Sequence, residues 1–286
     1  ITMRFDCDED IESARKVFDL YKANQLPISL ALTTNQLIDN NFISSLPIDV
    51  MESGGNILNH SHTHPINWGG NKEKIRKEIK EAEKIIKNFY GIRTHYAVSP
   101  FHHLTWDALE VLEELNYRGV VGGISSSHHE FLITRGGSIN INSDIIVHSQ
   151  QCMLHGDCLS DERKIDDYLY SFNLFSKLGF SIGFLDHPIS KRYDYGWVTK
   201  DNQKNNHEKI IEFLSNEQIK LINQEEMFNR LKAKEDVCID IDLINNQYYL
   251  IVKNNSNFLI SVNIGNKKFD CHPFKTNKFV FFNEIK

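Results

Sequence analysis

Short apolar runs alternate with longer amphipathic stretches over the first 233 residues, and this rhythm constrains the fold more than any other feature. Residues 1–8, 26–32, 57–58, 96–98, 119–124, 145–148, 181–185 and 219–222 read as strands. Residues 10–24, 35–40, 72–90, 105–116, 161–178, 206–214 and 224–232 read as helices, their apolar side chains recurring every three or four positions. In 72–90 the apolar face is Ile75, Ile79, Ala82, Ile85, Ile86 and Phe89, and the Lys/Glu remainder reads as a solvated face. Strands alternating with helices imply right-handed crossovers, so 1–233 is expected to form a parallel sheet or barrel. Past 234 the pattern changes. Short strands at 237–242, 248–253, 258–264 and 278–282 are separated by Asn-rich turns such as Asn245-Asn246, which predicts a small antiparallel β domain over 234–286.

A chain of 286 residues can bury one large core and a second, smaller one. The formal charge of -6 provides no basic surface, which argues against nucleic acid as a partner. No apolar run approaches the roughly 20 residues that span a bilayer, and no leader segment is visible. The five cysteines are scattered, odd in number and without a C-x-x-C pair, as expected of a reducing compartment; a cytoplasmic location is the expectation. Nothing in the sequence sets the oligomeric state.

Chemistry-bearing residues gather at predicted strand ends. Asp6, Asp8, Glu9 and Asp10 follow the first strand, His60, His62 and His64 the strand at 57–58, and Asp186 and His187 the strand at 181–185. In a β/α barrel such ends converge on one mouth. Crowded histidines have little structural use, because each buried imidazole needs partners at both nitrogens. Histidines and aspartates converging there are the inventory of a metal-assisted hydrolase. Such an enzyme needs one carboxylate to take a proton from water and a second group to protonate the leaving amine. For Asp10 the better reading is a helix cap.

Four segments carry a family resemblance. His60-Ser61-His62-Thr63-His64-Pro65 fits the pattern His-Ser/Thr-x-x-His-Pro, Phe5-Asp6-Cys7-Asp8 resembles a paired-aspartate motif, Ser99-Pro100-Phe101 an Arg-x-Pro-Tyr/Phe motif, and Leu185-Asp186-His187 a late Leu-x-His motif. In this order they resemble the polysaccharide deacetylase family, the NodB-homology domain, similar to family 4 carbohydrate esterases. The resemblance spans roughly residues 1–233 and implies an α/β fold, a distorted (β/α)7-type barrel.

Carried over residue by residue, the resemblance implies His60 and His64 as metal ligands, able to share one ion if the segment coils into a helical turn. One aspartate of the first motif would complete the ligand set and the other would be the general base. We take Asp8 as ligand and Asp6 as base; the reverse, and Cys7 as a ligand, stay open. His187 would be the general acid. Ser61, Pro100, Phe101, His102 and Asp186 would line or orient the substrate site. The implied cofactor is a single divalent ion, expected to be zinc. Val98 stands where the family has an arginine that supports the catalytic aspartate, and Arg4, Arg93 and Arg135 are the candidates to replace it. His128, His129, His148 and His155 read as loop or surface residues, and Tyr193, Tyr195 and Trp197 as candidate sugar-stacking aromatics.

The expected function is removal of an N-acyl group, acetyl or formyl, from an amino sugar of a polysaccharide or glycan precursor. The alternative, motivated by Val98, is a catalytically impaired carbohydrate-binding protein on the same frame.

Overall fold

The structure, a computed structural model, describes residues 1–39, 43–124, 145–157, 164–190, 195–196, 201–264 and 267–282. The chain forms two compact units, Ile1–Met227 and Phe228–Lys286.

The first unit is built on eight parallel segments: β1 (Thr2–Cys7), β2 (Ser29–Leu32), β3 (Asn56–Asn59), β4 (Tyr96–Val98), β5 (Gly119–Ile124), β6 (Ile146–Gln150), β7 (Cys152–Met153) and β8 (Gly183–Asp186). They pair in the order β6-β5-β4-β3-β2-β1-β8-β7. The two end segments, β6 and β7, are separated in the chain by Gln151 alone, whose N–H donates to Gly183 O at 2.9 Å. One extended run therefore pairs with β5 through its first half and β8 through its second, which closes the sheet on itself. Counted that way there are seven strands, the distorted (β/α)7 barrel expected from the sequence.

Alternation along β1 explains its all-buried pattern. Met3, Phe5 and Cys7 pack outward among Val17, Phe18 and Tyr21, each large apolar side chain contributing about 1.5–3 kcal/mol. Thr2, Arg4 and Asp6 take the opposite face, toward the barrel interior. The outward layer belongs to α1 (Arg15–Ala23), which is preceded by a 3-10 turn capped by the Asp10 carboxylate. The connections continue with α2 (Asn35–Asp39), α3 (Leu46–Glu52), α4 (Lys72–Tyr90), α5 (Trp106–Glu114), α6 (Leu154–Asp157), α7 (Lys164–Lys177), α8 (Asp201–Asn216) and α9 (Gln224–Glu235). A two-residue ribbon, β9 (Ile189–Ser190) with β10 (Tyr195–Gly196), follows β8.

The structure departs from the expected elements in places. Residues 219–222 are not a strand but meet β1 at one bridge, Thr2↔Ile222. β2 pairs with β1 only from Arg4 onward, so this segment meets just the start of the strand. Helix α3 is not among the helices read from the sequence; it holds Pro47. The proline falls in the first turn, where its missing N–H needs no intrahelical partner. Entry into β3 depends on Gly55, since a Cβ there would lie 2.3 Å from Ile28 O.

The second unit carries an antiparallel sheet of β11 (Val237–Ile244), β12 (Gln247–Asn254) and β15 (Lys275–Phe282), and a hairpin of β13 (Ile260–Ile264) with β14 (Lys267–Cys271). Asn245 and Asn246 form the β11–β12 turn with φ of 50° and 61°, as a tight right-twisting hairpin requires. Leu250, Val252, Phe269 and Cys271 make its core.

Candidate metal centre

Because all strands of the barrel run parallel, β1, β3, β4 and β8 end on the same rim. Asp8, His60 and His64 present donor atoms all within 4.8 Å of one another. The helical turn expected of residues 60–64 is not formed. The backbone instead turns through positive φ at Ser61 (71°) and His64 (55°), and this brings the two rings to a 4.6 Å centroid separation. Side chains hold the turn in place. Ser61 N donates to Asn59 Oδ1 and His64 N to Ser61 Oγ, each at 2.9 Å. Glu78, on α4, accepts the backbone N–H of His62 and of Thr63 and the Thr63 hydroxyl.

The donor set fits a cation. His60 Nδ1–H donates to Val98 O at 2.9 Å, which leaves the bare Nε2 facing the site. That atom lies 3.1 Å from His64 Nε2 and 3.3 Å from Asp8 Oδ1. Asp8 Oδ1 is itself buried without a hydrogen-bond partner. Burial, with His60 adjacent, lowers the pKa of His64 to about 4, so it is neutral. Two imidazole lone pairs and an orphaned carboxylate oxygen converging on one point are what a divalent ion of the zinc type selects. Burial works against the charged form of His60, yet Asp6 and Asp8 raise its pKa overall; a bound cation displaces that proton.

Asp6 lies beside this set, with Oδ2 3.8 Å from His60 Nε2. It is gripped in bidentate fashion by Arg4, Nε to Oδ1 at 2.6 Å and Nη2 to Oδ2 at 2.9 Å, both side chains being buried. Burial alone would raise the Asp6 pKa, but Arg4, then His60 and His187, outweigh it and hold the carboxyl below its ordinary value. The arginine absent at Val98 is thus replaced from within β1, two residues before the aspartate it serves. Arg93 instead lies at the surface near Glu83, and Arg135 falls outside the described residues.

His187 Nε2 stands 3.3 Å from Asp8 Oδ2. Burial opposes its protonation, but Asp8 and Asp6 raise its pKa overall. Phe101 stacks obliquely on His64 at a centroid distance of 4.7 Å and is 37% exposed, so it forms an accessible wall. Both Phe101 (54°) and His102 (58°) take positive φ in the turn opened by the buried Pro100. Burial, with Arg4 nearby, lowers His102 to about 3, a neutral imidazole that senses Asp6, His187 and His60.

Several expected roles change. Asp186, placed with the substrate residues, is wholly buried. Its Oδ1 accepts the His187 N–H at 2.9 Å, and its Oδ2 accepts from Gln203 Nε2 at 2.6 Å and His207 Nε2 at 2.9 Å. Ser61, also wholly buried, keeps an orienting role, its Oγ accepting the His64 N–H. Cys7 faces the apolar layer outside β1, which removes it as a ligand. His62 meets the Thr34 hydroxyl through Nδ1 at 3.0 Å rather than the ligand cluster. His148 lies buried beside Gln224, 2.9 Å from its Nε2. His128, His129, Tyr193 and Trp197 fall outside the described residues. Sequence reading missed Glu78, Gln203 and His207, and it placed His155 on the surface. These residues carry no motif, and only folding brings them to the site.

Residues 1–120 match the family model described as Polysaccharide deacetylase, so the resemblance read from the motifs holds over that segment. It contains Asp6, Asp8, His60 and His64 and stops short of His187. No curated protein matches the chain. Among solved structures it resembles a peptidoglycan N-acetylglucosamine deacetylase at 16% identity and TM-score 0.54, covering 79% of this chain and 86% of that one. It resembles a family 4 acetyl xylan esterase from Clostridium thermocellum in complex with a cobalt ion at 13% identity and TM-score 0.52, covering 80% and 90%. A family 4 pseudoenzyme from Bacillus anthracis is similar at 12% identity and TM-score 0.54, covering 79% of this chain and 64% of that one. At these identities the likeness shows a shared fold, that of the family 4 carbohydrate esterases.

Proposed function

From a barrel whose first 120 residues match the polysaccharide deacetylase family model, we propose that the protein is a metal-dependent hydrolase removing an N-acyl group, acetyl or formyl, from an amino sugar of a glycan or glycan precursor. The observation that carries the reading is the convergence of Asp8, His60 and His64 donors within 4.8 Å, with Asp6 and His187 at their edge. A divalent ion, zinc by its preference for this donor set, would be held by those three residues and supply a Lewis acid that polarises the amide carbonyl and eases deprotonation of water.

The protein's own groups supply the proton transfers. Arg4 keeps Asp6 ionised, so Asp6 can accept a proton from the attacking water as the new C–O bond forms. His187, on the other side of Asp8, gives its Nε2 proton to the nitrogen as the C–N bond breaks and the electron pair moves to that nitrogen. The products are a carboxylic acid and a free amine. Phe101 walls the approach beside His64. The neighbour named for peptidoglycan N-acetylglucosamine supports an amide substrate. The absence of arginine at position 98 does not by itself favour the impaired reading, because Arg4 supplies the charge.

The test is metal analysis of the purified protein joined to an acetate and formate release assay on N-acetylated and N-formylated amino sugars. Asp6→Asn and His187→Ala are each expected to lower release by at least about 100-fold with metal content retained. Wild-type release in both variants removes this mechanism. A tightly held ion with no release from any substrate moves the protein to the carbohydrate-binding reading.

A further inference from the structure

We propose that His155 is a positioning residue that fixes the ring of His187, so that the His187 Nε2–H is aimed at the departing amine nitrogen; this rests on the deacylase reading. The barrel closure puts His155 there, because α6 begins directly after β7, and β7 pairs with β8, whose end carries His187. The two rings stand 4.1 Å apart at 83°, and their Nδ1 atoms are 3.1 Å from each other. The main chain of His187 is clamped independently. Its N–H donates to Asp186 Oδ1 at 2.9 Å, and its carbonyl accepts from Gln203 Nε2 at 2.8 Å. Ring rotation is the freedom that remains. The ring has contacts at two nitrogens, Asp8 at Nε2 and His155 at Nδ1.

An Nδ1 to Nδ1 contact needs a hydrogen on one nitrogen and a lone pair on the other. A histidine about to donate from Nε2 carries hydrogens on both nitrogens, so His187 is then the donor and His155 the acceptor. Once the Nε2 proton has moved to the leaving nitrogen, His187 keeps its Nδ1–H, still donated to His155 Nδ1, and the ring keeps its plane. Burial is the largest influence on His155 and, with His187 adding to it, lowers the pKa against the opposing pull of Asp186, so the ring is neutral and has one nitrogen free to accept. Asp186 Oδ1 lies 3.4 Å from the same nitrogen, His155 Nδ1. Asp186 is in turn fixed by His207, whose Nδ1 meets the Tyr21 hydroxyl at 3.0 Å inside the apolar layer. The main chain of the proton donor is thereby tied to the packed core through Asp186, His207 and Tyr21.

The test compares an amide whose amine must be protonated with an ester whose phenolate leaves unaided. The zinc-loaded wild type, His155→Ala and His155→Asn are assayed on chitopentaose and on 4-nitrophenyl acetate. His155→Ala is expected to lower kcat on the amide at least about tenfold more than on the ester, with KM unchanged. His155→Asn is expected to recover most of that difference, because its amide oxygen can take the acceptor position of Nδ1. A low-field proton resonance correlated with His187 Nδ1 in NMR is expected in the wild type and His155→Asn and lost in His155→Ala. Equal losses on both substrates, or an asparagine variant no better than alanine, overturn the proposal. A loaded wild type inactive on both probes sinks the deacylase reading, and the NMR comparison then decides the positioning role alone.

Discussion

Arg4 and Asp6 are a buried ion pair inside the barrel, and removing one partner should be far worse than removing both. Two charge-assisted bonds, 2.6 and 2.9 Å long, join them; such bonds contribute about 1.5–3 kcal/mol each. Arg4→Met preserves much of the volume and leaves Asp6 buried without its cation. Orphaning a buried charge costs about 3–5 kcal/mol. Arg4 Nη1 has no partner even in the intact pair, which places the expected loss toward the lower end, about 3 kcal/mol at pH 7. The double variant Arg4→Met/Asp6→Leu should recover at least half of it, since an apolar pair removes both desolvation penalties. The assay is urea unfolding in EDTA, so that metal binding does not enter. The direction with pH follows from the shift. Asp6 is held below the unfolded carboxyl value of about 3.9, so the stability it adds is present above that value and is lost as pH falls through the lower folded value. In Arg4→Met burial has lost its main opponent, the folded pKa rises, and protonation relieves the strain in acid. The gap between wild type and variant is therefore widest at neutral pH and narrows below it. A single-variant loss under about 1 kcal/mol, or a double variant equal to the sum of the singles, refutes the reasoning.

Asp186 presents a second pH-dependent element. Burial would raise its pKa, but His155 and His207 more than offset this and hold it low. Its contribution is present above about pH 3.9 and disappears as pH falls through the folded value. Asp186→Asn should cost about 3–5 kcal/mol near neutrality and flatten the acid limb of the stability curve; urea midpoints at pH 7, 5 and 3 that run parallel to wild type would contradict this. Glu78 ties three donors of the histidine turn to α4. Glu78→Ala should weaken zinc binding by about 10–100-fold, as loss of a bond bracing a metal ligand does elsewhere, and unchanged zinc affinity by isothermal titration would show that the turn holds itself. Zinc at about 100 times its dissociation constant should stabilise the wild type by about 2.7 kcal/mol in thermal unfolding. His60→Ala should abolish that gain, and an equal shift in the variant would mean the ion sits elsewhere.

Much of the architecture was readable because local patterning and tertiary role agreed. Helix α4 begins and ends where its charged, one-faced pattern does, Lys72 to Tyr90, with Asn71 capping it and Gly91 stopping it at φ 69°. Strand β1 was recognisable although it carries Arg4 and Asp6, because Met3, Phe5 and Cys7 supply the outward apolar positions. Strand β14 was not, since KKFDC has apolar character only at Phe269 and Cys271. At the site, the histidines of residues 60–64 and the aspartates after β1 drew notice through residue type and position, but which aspartate joins His60 and His64 stayed open until the fold was known. Asp186 did not disclose its role, because burial and partners, not identity, make it a brace rather than a substrate contact.

The amino-acid order alone determined the alternation that yields a parallel barrel, the turn between Asn245 and Asn246, and which residues bear metal-binding chemistry. These depend on propensity, periodicity and side-chain type, all of which are local. Only the closed barrel decided that Arg4 rather than Arg93 serves Asp6, that Glu78 grips the histidine turn and that His155 faces His187. Those pairings join positions as much as 32 residues apart, and no local preference encodes a contact that exists only once β7 has met β8.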